Sequence, residues 1–137
     1  MSDSTSTEVS APIVETVRLS RTARDQMLSL KRRTGIEGWN VLSRWALCVS
    51  LAEPTRPRDP GPAGDGGIEM TWRTFAGGDA DLYAALIRQR CTADGLAADD
   101  ATAVVQEFHR HLHRGVAYLV GERDLASVSQ LVSKSLA

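Results

Sequence analysis

Three histidines alternate with arginines and a leucine in the run His109-Arg110-His111-Leu112-His113-Arg114. On a helix, His109 and His113 stand four residues apart on one face, the spacing at which two imidazoles chelate a metal, while His111 points roughly the other way. No HExxH pattern accompanies them, and neither Cys48 nor Cys91 lies at ligand spacing, so neither a metal centre nor a cofactor is expected. Arg110, His113 and Arg114 are candidates for phosphate contact, with surface or interface packing as the rival reading. The carboxylates Asp79, Asp81, Asp99 and Asp100 sit at the starts of helical stretches. There they serve as caps and dipole partners rather than as the clustered acidic site of a nuclease. There is no GxxxxGK[ST] loop, no GxSxG and no CxxC, so neither ATP hydrolysis, serine acyl transfer nor dithiol redox chemistry is expected. No catalytic residue is assigned, and the chain reads as a binding protein rather than an enzyme.

The second chemistry-bearing feature is a block of positive charge. The 137 residues carry a formal net charge of −1, which on its face argues against nucleic acid. Residues 17–45, however, hold Arg18, Arg21, Arg24, Lys31, Arg32, Arg33 and Arg44 against only Asp25 and Glu37, whereas the segments on either side are acidic. A basic block on a nearly neutral chain is the electrostatic footprint of a DNA binder, or equally a solvated helix face. Arg18, Arg21, Arg24, Lys31, Arg32 and Arg33, with Arg110 and Arg114, are the candidate contacts to duplex DNA. At 100° per residue Arg21, Arg24, Lys31 and Arg32 share one broad helix face.

The elements that must position these side chains follow from periodicity. With 42% hydrophobic and 24% charged residues, the chain has the composition of an ordinary globular domain. It has no apolar run of 18 residues that would predict a membrane span, and its N-terminus lacks the basic and apolar regions of a signal peptide. Residues 1–12 read as a disordered tail. A short strand follows, with Val17 and Leu19 on one face and Thr16, Arg18 and Ser20 on the other. Ser20 is a suitable N-cap for a helix carrying Ala23, Met27 and Leu30, and Gly35 ends that helix after a basic last turn. A second helix runs from about Trp39 to Ala52, with Val41, Leu42, Trp45 and Val49 as its stripe. Pro54–Gly67, rich in proline and glycine, reads as a flexible loop within one domain spanning residues 13–120. Ile68–Phe75 alternates as a strand or extended arm, broken at Thr74. Helices are expected from about Asp79 to Thr92 and from Asp99 to Val120, and residues 121–137 read as a weakly structured or helical tail. The fold is therefore mainly α with one or two short strands. Cys48 and Cys91 read as buried reduced thiols, and Trp39, Trp45 and Trp72 as core or interface anchors.

A single short strand cannot satisfy its own edges. One solution is to pair it with the same strand of a second copy, giving the ribbon-helix-helix arrangement whose outward side chains enter the major groove. The order strand, helix, Gly turn, helix over residues 14–52 fits that pattern, and it predicts self-association.

Longer blocks carry a closer likeness. VRLSRTARDQMLSLKRRTGIEGWNVLSRWALCVSLAEP, then EMTWRTFAGG, LIRQRC and FHRHLHRGVAYL, resemble successive blocks of the DndE family of bacterial DNA phosphorothioation, in order over residues 17–120. That machinery replaces a non-bridging phosphate oxygen of DNA with sulfur. The resemblance implies a cytoplasmic, largely helical protein that self-associates as a dimer or tetramer. It also implies binding to duplex DNA, with some preference for nicked duplex, beside sulfur-transfer and ATPase subunits and without a membrane. The chain departs from the family in its long Pro/Gly loop and its tails, and it uses arginine where members more often use lysine, a mild change for gripping phosphate. The alternatives are a sequence-specific ribbon-helix-helix repressor, a scaffold docking an acidic partner and, least favoured, a nicking enzyme.

Overall fold

In the computed structural model of the chain, residues 12–122 are described; both tails expected from the sequence lie almost wholly outside them. The elements run β1 (Thr16–Leu19), α1 (Arg21–Thr34), α2 (Trp39–Ala52), β2 (Ile68–Thr71), α3 (Trp72–Ala76), α4 (Ala80–Ala93) and α5 (Ala101–Gly121), with a 3-10 turn at Gly77–Asp79.

Local chemistry sets the boundaries. The Ser20 hydroxyl accepts the Ala23 N–H at 3.1 Å and starts α1. Gly35 ends it at φ 74°, donating its N–H to the Lys31 carbonyl, where a side chain would be strained. Asp100 accepts the Ala103 N–H at 3.2 Å and starts α5. Asp79 holds the N-cap position of α4, with Asp81 in its first turn.

The strand that needed a partner finds one in its own chain. β1 pairs antiparallel with β2, Thr16 opposite Thr71, Val17 opposite Met70, Arg18 opposite Glu69 and Leu19 opposite Ile68. β1 is therefore not a lone strand, and an unpartnered edge no longer argues for a ribbon shared between two copies. The residues that supply the second strand, 68–71, are separated from the first by the proline-rich segment and open the alternating stretch of Ile68–Phe75. The rest of that alternating stretch is not extended. The Thr71 hydroxyl accepts the Thr74 N–H at 3.0 Å, and the chain turns into α3. Of the three residues expected to face outward from β1, only Arg18 is exposed. Thr16 is half-buried and Ser20 is engaged as a cap.

The core is a single cluster built around the crossing of α2 with α5, on which α1, α3 and α4 also pack. Leu42, Ala46, Leu47 and Val49 of α2 and Phe108, Leu112, Val116 and Leu119 of α5 are buried in it, with Met27 and Leu30 of α1. Trp72, Phe75, Tyr83 and Phe108 form an aromatic group with ring centroids 5.3 to 5.7 Å apart. Trp72 is thus a core anchor, whereas Trp39 and Trp45 are half-buried. Cys48 and Cys91 are buried free thiols, and burial pushes the Cys91 thiol up from its ordinary pKa.

The crossing depends on Gly115. A Cβ there would sit 1.7 Å from the Ala46 carbonyl oxygen, backbone against backbone. No rotamer change relieves such a contact, so α2 would have to retreat from α5. Gly115→Ala is therefore expected to lower the melting temperature by about 10 °C or more. Gly121→Ala, with nothing within 4 Å of the added carbon, should leave it unchanged. Thermal melts of the two variants followed by circular dichroism provide the check, and equal melting temperatures would show that the crossing can relax.

Candidate nucleic-acid interface

The cations expected to meet DNA divide into two groups by where their helices and loops place them. Arg24 and Arg32 are exposed on the outer face of α1 and have no hydrogen bond or ion pair among the described residues. Arg21, also exposed, lays its guanidinium over Gly66. Arg18 projects from β1 and pairs with Glu69 across the strands at 3.0 Å, with the two side chains 57% and 61% exposed. A pair that open to solvent is worth at most about 1 kcal/mol and can be exchanged for a phosphate. Lys31 lies on the same face but is held back, its ammonium 4.2 Å above the Trp39 ring and 3.9 Å from Glu37.

Arg33 and Arg114 turn the other way. Arg33 donates to the carbonyls of Val120 at 2.8 Å and Glu122 at 3.2 Å, closing the C-terminal end of α5 where a cation also complements the helix dipole. Arg114 donates through Nε to Ser50 Oγ at 2.9 Å, through Nη1 to Thr55 O at 2.8 Å and through Nη2 to Ser50 O at 2.8 Å. Its guanidinium is spent on the end of α2 and the segment after it. Arg110 is intermediate, half-buried with Asp59 and Glu107 each 3.7 Å away.

The histidine run is equally committed to the fold. The Ser20 N–H donates to His113 Nε2 at 3.1 Å, so that nitrogen is the acceptor and the ring proton sits on Nδ1, directed to the His109 carbonyl at 2.8 Å. His109 Nε2 meets the Gly61 carbonyl at 2.9 Å. Although the two rings lie 4.2 Å apart, three of their four nitrogens are taken, and the i, i+4 pair is not free to chelate.

His111 anchors a buried polar array that no local sequence pattern announces. It is 2% exposed, and its Nδ1 lies 2.8 Å from the fully buried Ser50 hydroxyl. Since Arg114 already donates to that oxygen, the hydroxyl proton is directed to Nδ1 and the ring proton falls on Nε2, which has no hydrogen-bond partner. Burial first, then the charges of Arg90 and Arg114, hold the His111 pKa down at about 4, against the opposing pull of Glu107 and Asp94. Asp94, Glu107 and His111 bring potential ligand atoms within 4.8 Å of one another. Glu107, however, accepts from Arg56 at 3.2 and 2.7 Å, and Asp94 from Arg90 at 3.1 Å. In the structure the grouping belongs to an ion-pair network, and a divalent cation there would have to displace guanidinium groups and sit beside Arg90 and Arg114. Ser50 itself is fully buried, its hydroxyl engaged by His111 and Arg114.

This network strips the 54–67 segment of its independence. The segment has no helix or strand, as its prolines and glycines predict, yet Arg90 donates to the carbonyls of Leu51, Glu53 and Thr55. Arg56, Asp59 and Gly61 tie it further to α5.

Comparison with known proteins bears on what the outward face could meet. The family described as DNA sulphur modification protein DndE matches residues 16–127. The crystal structure of DndE from Escherichia coli B7A, described as involved in DNA phosphorothioation modification, superposes with a TM-score of 0.61. The identity is 23%, over 77% of this chain and 97% of that one, a likeness of fold. No curated protein matches the chain.

The neutral histidines carry a pH signature. Burial lowers the pKa of His113 as well, with the bond to the His109 carbonyl opposing it. Both pKa values are lower in the folded chain than in the unfolded one, where histidine titrates near 6.5. Between about pH 6.5 and 4 the unfolded chain therefore binds more protons, and stability falls as pH falls. From His111 alone the loss is on the order of 3 kcal/mol by pH 4. Urea midpoints should be flat above pH 7 and drop steadily below 6.5, and His111→Gln should flatten that limb. A midpoint constant from pH 7 to 4.5 would mean that the histidines are solvated.

Proposed function

The chain belongs to the DndE family of DNA sulphur modification proteins, and from that premise we propose that it is a non-catalytic DNA-binding subunit of the phosphorothioation machinery, gripping duplex by its phosphates on the outer face of α1. The observation that carries this reading is the division of the cations. Arg18, Arg21, Arg24 and Arg32 face outward with little or nothing to hold them, while Arg33, Arg90 and Arg114 are consumed by the fold. Exposed guanidinium groups on α1 and β1, with no companion set of base-reading side chains among the described residues, suit backbone contact that positions a protein without reading sequence. A ribbon-helix-helix repressor would need several free side chains on its strand face, and β1 offers Arg18 alone.

The same proposal takes the sulfur-transfer and ATPase subunits of the system as partners, the cytoplasm as the compartment and nicked duplex as a favoured form of DNA. Among the described residues no helix is long and apolar enough to cross a membrane. We also propose that the protein works as a homo-oligomer, a dimer or tetramer. The support is apolar surface, with Leu82 49% exposed and Val41 and Trp45 half-buried on α2, and no longer an unpartnered strand.

The Trp39 contact of Lys31 makes Arg24 and Arg32 the cleaner pair to test. Arg24→Glu combined with Arg32→Glu should leave the fold intact and weaken binding to random-sequence duplex by at least tenfold at moderate salt. The slope of log affinity against log salt should fall by about two, one per lost phosphate contact. Fluorescence anisotropy on intact and nicked duplexes across a salt series measures both. A folded double variant that binds like wild type moves the DNA site off α1. A loss confined to one DNA sequence favours the repressor reading.

A further inference from the structure

Among the described residues Tyr118 is one of two large apolar side chains left exposed, at 43%, and it does not stand on a bare surface. It borders a cleft of about 550 Å³ between the 55–60 segment and the face of α5 that carries Arg110, His113, Arg114 and Ala117. Four arginines line this cleft, Arg56, Arg58, Arg110 and Arg114, against the single carboxylate of Asp59. Their states differ in a useful way. Arg114 is fixed by its carbonyl contacts and sits 5.8 Å from the centre of the Tyr118 ring, backing it from one side. Arg56 holds Glu107 through Nε and Nη2, which leaves its third nitrogen uncommitted. Arg110 has only the two 3.7 Å approaches to carboxylates. Arg58 is exposed and has no hydrogen bond or ion pair among the described residues.

An aromatic platform beside Arg58, unpaired among the described residues, and the loosely paired Arg110 matches one ligand chemistry, a flat π-face joined to a phosphate. The volume falls in the range of sites that take small molecules. We propose that this cleft binds a single nucleotide unit, the base stacked on Tyr118 and the phosphate held by Arg58 and Arg110. The unit is either a free nucleoside monophosphate or an unpaired residue of a strand. The site does not rest on the α1 face, since it uses a different element and none of that face's side chains.

Calorimetric titrations at low ionic strength with deoxyadenosine monophosphate, deoxyadenosine, inorganic phosphate and the single-stranded tetramer d(A)4 test it. The monophosphate should bind more tightly than either of its halves. Tyr118→Ala should weaken it roughly tenfold or more, the size of a lost base–aromatic stack, and Tyr118→Phe should retain it. Arg58→Ala should weaken it while leaving the melting temperature unchanged. Tighter binding of d(A)4 than of the monophosphate assigns the site to a strand residue, and equal or weaker binding assigns it to the free nucleotide. The Arg24→Glu, Arg32→Glu variant should bind the monophosphate like wild type, which separates this site from the duplex-binding face. The proposal is overturned if phosphate alone binds as well as the monophosphate, if nothing binds, or if Tyr118→Ala and Arg58→Ala are both without effect.

Discussion

The contact of Gly115 with the Ala46 carbonyl is the constraint on which the rest of the structure depends. By letting α5 lie directly on the backbone of α2, it brings residues about sixty positions apart within hydrogen-bond reach. Ser50 meets His111 and Arg114 only because the two helices are this close. Arg114 can then reach past Ser50 to Thr55. A side chain at position 115 would open the crossing and separate both ends of the network. The polar core and the anchoring of the 54–67 segment both follow from one missing methyl group.

That network explains why arginines of the same charge do different work. The chain leaving α2 carries backbone carbonyls that need donors, and an unsatisfied buried carbonyl costs about 1–3 kcal/mol. A guanidinium has five N–H groups in a fixed fork and serves several carbonyls at once. Arg90 and Arg114 do so for the end of α2, and Arg33 for the end of α5. Burial lowers the pKa of Arg114 from its ordinary value, a further mark that it belongs to the interior. The arginines on the outer face of α1 have no such carbonyls within reach, so their donors remain available to a ligand.

How far these roles were legible in the sequence depended on the range of the interaction behind each. α1, its Ser20 cap and its Gly35 stop are decided within a few residues, and they fall where the pattern places them. α2 also spans the expected residues, but its buried face is wider than the stripe of Val41, Leu42, Trp45 and Val49. It is covered on several sides, so Ser43, Ala46, Leu47 and Ser50 are buried while Val41 and Trp45 stay half-exposed. Counting charge found the block at 17–45 but could not separate Arg33 from Arg32, because the difference lies in the end of α5, nearly ninety residues away. The same limit applied to Arg114 and to the histidines. Their neighbours are loop carbonyls and an N-cap brought up by the helix crossing, and no local pattern encodes them. Arg56, Arg58 and Tyr118 passed unremarked because two lie in a stretch that reads only as punctuation.

Duplex DNA is proposed to meet the outward arginines of α1 and β1 while the inward ones serve the fold. Arginine footprinting tests this most directly: the native protein is modified with phenylglyoxal, with and without duplex DNA, and the products are mapped by mass spectrometry. Arg18, Arg21, Arg24 and Arg32 should react freely alone and be shielded by DNA, while Arg90 and Arg114 should be unreactive in both states. Shielding confined to Arg58 and Arg110, with Arg24 and Arg32 unchanged by DNA, would contradict it.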